Sequence, residues 1–199
     1  RSLTLKAVAT VRWTALHCSH ARFAFKLDSD AYVRLQPFLA ELATFSSAAL
    51  YGQIRVGSPV LRDPLVKWAI DPRYWPYPAY PPYHAGPYLI PVNLTAQLYA
   101  TVADEPITDT LPALPIDDVY ITGVLAAKAN ISRTSFPGLK LLWGEEKRLL
   151  LREHDGKVVG GEEEKEEEKK VDLLRKCSVF FETLNDDDLR RLWAIFGDG

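Results

Sequence analysis

The chain has 199 residues, 47% of them hydrophobic, and a formal net charge of −2. That length can bury a real core within one domain. The near-neutral charge argues against an electrostatic nucleic-acid binder, which shows a basic face. No apolar run reaches the roughly eighteen residues that a membrane helix needs, and no signal peptide is visible.

The first residues, Arg1-Ser2-Leu3-Thr4, lack a starting Met, and Met is absent throughout. The expectation is a fragment, with any targeting segment lying upstream. Cys18 and Cys177 are too few for a disulfide framework and permit one bridge or none. The tripeptides Asn93-Leu94-Thr95 and Asn130-Ile131-Ser132 are glycosylation sequons, compatible with the secretory pathway.

In chain order, Leu3 to Leu16 reads as a helix and Arg22 to Leu27 as the first strand. A helix is expected over Tyr32 to Phe45, with Pro37 near its start, and a strand over Ala49 to Val56. Gly57 to Gly86 carries seven prolines and many aromatic rings. Proline removes backbone donors and stiffens the chain, so this stretch predicts a long, ordered loop. Its rings either pin the loop to the core or, for one or two of them, face a ligand. Tyr88 to Val92 predicts a short strand, with Asn93 capping a helix that runs to about Val102. After a polar connection over Thr101 to Pro115, Asp117-Asp118 opens a helix through about Ala129. Lys147 to Arg152 (KRLLLR) reads as a strand, followed by His154. Glu162 to Lys170 is a charge run within a 160–171 insertion, either a solvated helix or disordered. Asn185 to Phe196 is a capped C-terminal helix with an apolar face.

The chemistry-bearing stretch is Phe23-Ala24-Phe25-Lys26-Leu27-Asp28-Ser29-Asp30. An apolar strand ends in two carboxylates spaced i, i+2, and in α/β proteins ligands collect at the carboxyl ends of strands. Paired Asp oxygens suit Mg²⁺ or Mn²⁺, which in turn hold a diphosphate. Acidic residues at such a turn also cap the next helix or form Asx turns, so the pair alone leaves both roles open.

Several words along the chain narrow the choice. Leu3-Thr4-Leu5-Lys6 matches an N-L-T-L-K-T word with Ser2 in the Asn place. Arg12-Trp13 and Cys18-Ser19-His20-Ala21 match R-W and C-P-H-A, and Lys26 to Asp30 matches K-T-D-x-D. Arg62-Asp63 and Lys67-Trp68 match R-D-x-x-S-K-W, Tyr80 to Tyr83 matches Y-P-P-Y, and Asp117-Asp118-Val119-Tyr120 with Gly123 matches E-D-V-Y-V-G. In this order and spacing, the chain resembles the β-1,3-galactosyltransferase and β-1,3-N-acetylglucosaminyltransferase family from residue 2 to about residue 154.

The resemblance implies an α/β, GT-A-like (Rossmann-like) mixed central sheet flanked by helices, lacking its first N-terminal units. It implies one glycosyltransferase catalytic domain over 1–199. The activity implied is transfer of galactose or N-acetylglucosamine from a UDP-sugar to a glycan or glycoconjugate hydroxyl, β-1,3 with inversion. The location implied is the Golgi lumen, with a type II membrane anchor outside this chain. Residue by residue, it implies Asp30, Asp28 and His154 as ligands of Mn²⁺ (or Mg²⁺). Asp118 is implied as the base that takes the acceptor proton, with Asp117 as fallback, and Lys26, Lys67, Trp68, Tyr83 and Gly86 as substrate contacts. A helix N-terminus would hold Asp118 ionised and make it only a modest base. For His154 the plain alternative is a surface histidine; for Lys67 and Trp68, a salt bridge and a core ring.

Four departures stand out. Asp117 replaces Glu, His84 stands where the family has Cys, the turn at Gly86-Pro87-Tyr88 is short, and Gly123 comes one place late. His84 and the short Gly86 turn, together with the missing first units, favour a rival reading as a non-catalytic carbohydrate- or nucleotide-binding relative of the same fold. A second rival is an unrelated α/β protein whose acidic pairs are only caps.

Overall fold

The computed structural model describes residues 3–103, 114–152, 162–181 and 184–197. These form a mixed α/β chain that divides into two compact units, 1–26 with 46–135 and 27–45 with 136–199.

The first unit is built on a mixed four-stranded sheet in the order β1-β4-β3-β5. Its strands are β1 (Phe23–Lys26), β3 (Ala49–Arg55), β4 (Tyr83–Pro91) and β5 (Ser132–Ser135). β4 runs antiparallel to both β1 and β3, while β5 is parallel to β3. Helix α1 (Leu3–His17) packs against α3 (Val92–Ala103). The apolar residues of α1 do not all point inward. Ala7, Val8 and Val11 are buried with Thr4 and Thr14, while Leu3, Leu5, Trp13 and Leu16 are exposed. The core joins this inner stripe to Leu50, Tyr88, Ile90, Leu98, Ile121 and Leu125.

The strand expected from Tyr88 begins earlier, at Tyr83, so Tyr83 and Gly86 are strand residues. The reason is a bulge. Gly52 pairs with Tyr88 but Gln53 pairs with Ala85, which leaves Gly86 and Pro87 out of the ladder. Proline is tolerated in a sheet at such a place because its missing N–H is not needed. Gly86 takes φ +73°, a left-handed conformation open mainly to glycine. Asn93 is not the cap of α3, which already starts at Val92. The Asn93 side chain instead donates to the Ser47 carbonyl at 3.1 Å.

The loop before β4 is ordered, as its prolines imply, and one side chain organises it. Arg62 donates to the carbonyls of Ile70 at 2.7 Å, Trp75 at 2.7 Å and Tyr77 at 2.9 Å. The Trp75 indole donates to Ala79 O, and its ring meets Tyr77 and Tyr80. Trp75 and Tyr80 therefore pin the loop, whereas Trp68 and Tyr77 stay exposed.

The second unit holds a three-stranded sheet in the order β2-β7-β6, from β2 (Tyr32–Val33), β6 (Leu139–Leu141) and β7 (Val179–Phe181). Its helices are α2 (Leu35–Thr44), α5 (Gly144–Arg152), α6 (Glu162–Arg175) and α7 (Asp186–Phe196). The expected helix over Tyr32 to Phe45 thus begins three residues later, because Tyr32 and Val33 pair with Phe180 and Val179. The segment Lys147 to Arg152 is helical, which corrects the strand expectation. Glu145 and Glu146 occupy the first turn, where the helix dipole favours acids, and strong helix formers follow. The charge run forms the start of α6, whose Val171 and Leu174 are buried. α7 is capped as expected, and the cap is a capping box formed by Asn185 and Asp188. Cys18 and Cys177 are both free thiols.

Replacing Arg62 with Ala removes the donor to three carbonyls and should cost about 1.5–3 kcal/mol, the range for a hydrogen bond to a charged group. Limited proteolysis checks it, with faster cleavage expected inside 61–77 than in the parent chain.

Candidate functional site

The carboxyl end of β1, the bulge of β4 and the start of the helix after Ile116 bring together five of the residues singled out in the sequence. Asp118 lies at the centre. Its Oδ2 accepts from the Gly86 backbone N–H at 3.1 Å and its Oδ1 from Val119 N–H at 2.7 Å. Lys26 Nζ lies 3.5 Å from Asp117 Oδ2 and 5.9 Å from the Tyr88 ring centroid. Tyr83 packs edge-on against Tyr80 and shares a hydrogen bond with Ser58.

The helix that carries the acidic pair is not an ordinary one. Asp117-Asp118 opens it as expected, but Val119–Leu125 is π-helical, and Ala126–Lys128 (α4) completes it. Ala126 N–H reaches back to Ile121 O, the i→i+5 bond of a π turn. Such turns occur as single bulges and are frequent at functional sites.

Burial pushes the Asp118 carboxyl up to about 6, and neighbouring Asp117 adds to the rise. The two backbone N–H donors and the Lys26 ammonium pull the other way without cancelling it. The expected stabilisation by a helix N-terminus is therefore outweighed by desolvation. Asp118 is mostly ionised at neutral pH and is a stronger base than an ordinary carboxylate. Burial also raises the Tyr83 phenol, with a smaller contribution from Asp118.

His84, on β4, is fully buried, and burial lowers it to about 4, with Arg133 contributing. It is neutral near pH 7. A Cβ at Gly52 would lie 2.8 Å from the His84 Cβ and Cγ, so only glycine leaves room for this ring.

The remaining sequence candidates lie elsewhere. Asp28 is exposed and Asp30 half-buried, in the turn that opens the second unit. Lys67 sits 4.5 Å over the ring of Trp68 on the loop of the first unit. Trp68 is 44% exposed, so it is not a core ring, and no salt bridge of Lys67 is seen among the described residues. His154 lies outside the described residues. Among the described residues, no group of three or more His, Cys, Asp or Glu side chains is placed to hold a metal ion. No helix there is long and apolar enough to cross a membrane. Sequence reasoning missed Thr122, whose hydroxyl donates to the Asp118 carbonyl at 2.6 Å, and Arg133, which donates to the Thr122 carbonyl at 2.9 Å; the late position of Gly123 was the signal that could have found Thr122.

Residues 1–137 match the model of the galactosyltransferase family. The chain is 30% identical over 141 residues to a mouse acetylgalactosaminyl-O-glycosyl-glycoprotein β-1,3-N-acetylglucosaminyltransferase, covering 70% of this chain and 34% of that protein. It is 29% identical over 136 residues to human lactosylceramide 1,3-N-acetyl-β-D-glucosaminyltransferase, covering 65% and 34%. With human β-1,3-galactosyltransferase 5 it shares 26% over 148 residues, covering 69% and 45%. The chain thus spans between a third and a half of the length of these relatives.

Asp118 and His84 impose opposite pH dependences. Between about 4 and 6 the folded chain holds more protons on Asp118 than the unfolded chain, so that contribution to stability falls as pH rises. Between about 4 and 6.5 the unfolded chain holds more protons on His84, so that contribution rises with pH. Asp118→Asn removes the first and leaves the second. Urea denaturation at a series of pH values should show the variant gaining about 1–3 kcal/mol relative to the parent between pH 4 and 6.

Proposed function

Because the chain belongs to the galactosyltransferase family, we propose that it carries a β-1,3-hexosyltransferase site. The site would move galactose or N-acetylglucosamine from a UDP-sugar to a glycan or glycoconjugate hydroxyl, inverting the anomeric carbon on a GT-A-like, Rossmann-like scaffold. The family match excludes an unrelated α/β protein.

The observation that carries the reading is the state of Asp118. Inversion requires a base that removes the acceptor proton as the new bond forms, and such a base works best with a proton affinity near the working pH. Burial at the β4 bulge gives Asp118 that affinity, raised to about 6. Gly86 and Val119 N–H groups fix its two oxygens, so the carboxylate is oriented before substrate arrives. Asp117, engaged by Lys26, is a charge that keeps its neighbour basic. Tyr83 and the exposed Lys67–Trp68 pair offer aromatic faces of the kind that stack on sugar rings.

Asp28 and Asp30 would hold Mn²⁺ or Mg²⁺. Two accessible hard carboxylates suit cations that keep several waters and take phosphate oxygens as further ligands. Bound there, the cation would neutralise charge on the departing UDP. His154 is proposed as the third protein ligand. Family membership and the two sequons support the Golgi lumen as the working location. Both sequons present an exposed asparagine, while in the Asn93 sequon the Thr95 hydroxyl is buried and donates to Val92 O at 2.6 Å.

Two measurements test the reading together. Thermal melts with UDP and Mn²⁺ should show stabilisation of the parent and of Asp118→Asn, and none of Asp30→Asn. Turnover of UDP-galactose or UDP-N-acetylglucosamine should fall by about a hundredfold or more in Asp118→Asn, as expected for loss of a general base. Stabilisation without turnover in the parent would identify the non-catalytic relative instead.

A further inference from the structure

Thr122 has no counterpart in the words that led to the reading above, yet it touches both sides of the Asp118 support. It is fully buried. Its hydroxyl donates to the Asp118 carbonyl at 2.6 Å and accepts from the His84 backbone N–H at 2.8 Å. A hydroxyl has one proton and two lone pairs, so both bonds form at once. One atom thereby ties the helix turn that begins with Asp118 to strand β4, two residues before the glycine whose N–H holds the Asp118 carboxylate.

The π turn carries that hydroxyl, which bonds back four residues to the carbonyl just before it. Its i→i+5 spacing takes one residue more than an α turn, and Gly123 comes one place later here than in the E-D-V-Y-V-G word. With the extra residue absorbed, Gly123 still packs against β4, where a Cβ would lie 3.1 Å from the Tyr83 Cβ and 3.3 Å from Pro81 Cγ. A widened turn disturbs the i→i+4 bonding of its carbonyls. Arg133, entering from β5, takes two of them: its Nη1 donates to Thr122 O at 2.9 Å and to Gly123 O at 3.4 Å. Strand and π turn are thus joined at Gly86–Asp118, at His84–Thr122 and at Tyr83–Gly123, and Arg133 braces the turn from behind.

We propose that Thr122 is a positioning residue for the transfer reaction, its hydroxyl locking the π turn to β4 so that Asp118 is held at the Gly86 N–H. The inference rests on the reading of Asp118 as the base. Thr122 does not touch substrate; it acts through the backbone that carries the carboxylate. Its loss should therefore impair turnover without weakening donor binding, since donor affinity does not depend on where the base points.

The test compares Thr122→Val, which keeps the shape and removes the hydroxyl, with Thr122→Ser, which keeps the hydroxyl, in the full chain. Val102→Ala, a core truncation in α3, controls for stability loss, and all assays run below the melting range of every variant. Thr122→Val should lower kcat by about tenfold or more with donor KM changed less than about twofold, a split that marks a lost transition-state interaction. Thr122→Ser should recover most of the activity. Amide hydrogen exchange gives a readout independent of turnover: protection of the Gly86 N–H should drop about tenfold in Thr122→Val and not in Val102→Ala. An unchanged kcat in Thr122→Val beside an inactive Asp118→Asn overturns this inference alone, as does a Thr122→Ser enzyme no better than Thr122→Val. A fully active Asp118→Asn overturns the reading beneath it.

Discussion

The hydrogen bond from the Gly86 N–H to the Asp118 carboxylate is the constraint around which the first unit is arranged. It joins a strand to a helix turn at the one point where the ladder between β3 and β4 is interrupted. The N–H is available because the bulge takes Gly86 out of the ladder, and it points at the helix because Gly86 adopts a left-handed backbone. Pro87 makes the interruption durable, since it has no donor with which to rejoin β3. A free N–H beside a buried carboxylate is costly for each group alone and stable for the two together. The bulge and the acidic pair therefore depend on one another.

Burial decides the chemistry of that pair. An ionised carboxylate accepting two backbone N–H groups is ordinarily a weak base, as donors favour the charged form. At Asp118 desolvation is the larger effect and raises proton affinity into the range useful near neutral pH. Lys26 does not reverse this because its ammonium lies on Asp117, so its charge is spent mainly on the neighbour. Asp28 is exposed and Asp30 half-buried, so neither is sealed from water as Asp118 is. The proposed division of labour, a cation at the first pair and a proton at Asp118, follows that difference in burial. Differences in burial among carboxylates separate such roles.

Most of the first unit was legible in the sequence because it follows local rules. The first strand, α1, the helix opened by Asp117-Asp118 and the proline-stiffened loop are each specified by residues close in the chain. What sequence reasoning misplaced depends on partners far away. Tyr32 and Val33 resemble the start of α2 but are drawn into a strand by Val179 and Phe180, nearly 150 residues later. Leu149-Leu150-Leu151 has the apolar density of a strand, and only the acidic first turn at Glu145 and Glu146 betrays the helix. β4 was read too short because Pro87 and Gly86 look like its boundary, whereas they are a bulge inside it. For the candidate site, residue types revealed the acids but not their setting. No pattern in Asp117-Asp118 announces which of the two accepts from Gly86 and which meets Lys26.

His84 and Thr122, which stand at two departures from the family pattern, are bonded to one another. Taken singly, a histidine in place of a cysteine and a glycine one residue late look like erosion of a functional sequence. In the structure they meet, with the backbone N–H of His84 bonded to the hydroxyl that the longer turn supplies. The His84 ring is neutral and fully buried, and it fits because position 52 has no side chain. A buried imidazole kept neutral carries a cost, which the surrounding packing must offset. The bond that joins the two positions uses the backbone of residue 84 rather than its ring, and the Asp118 carboxylate keeps its bond to Gly86 beside them.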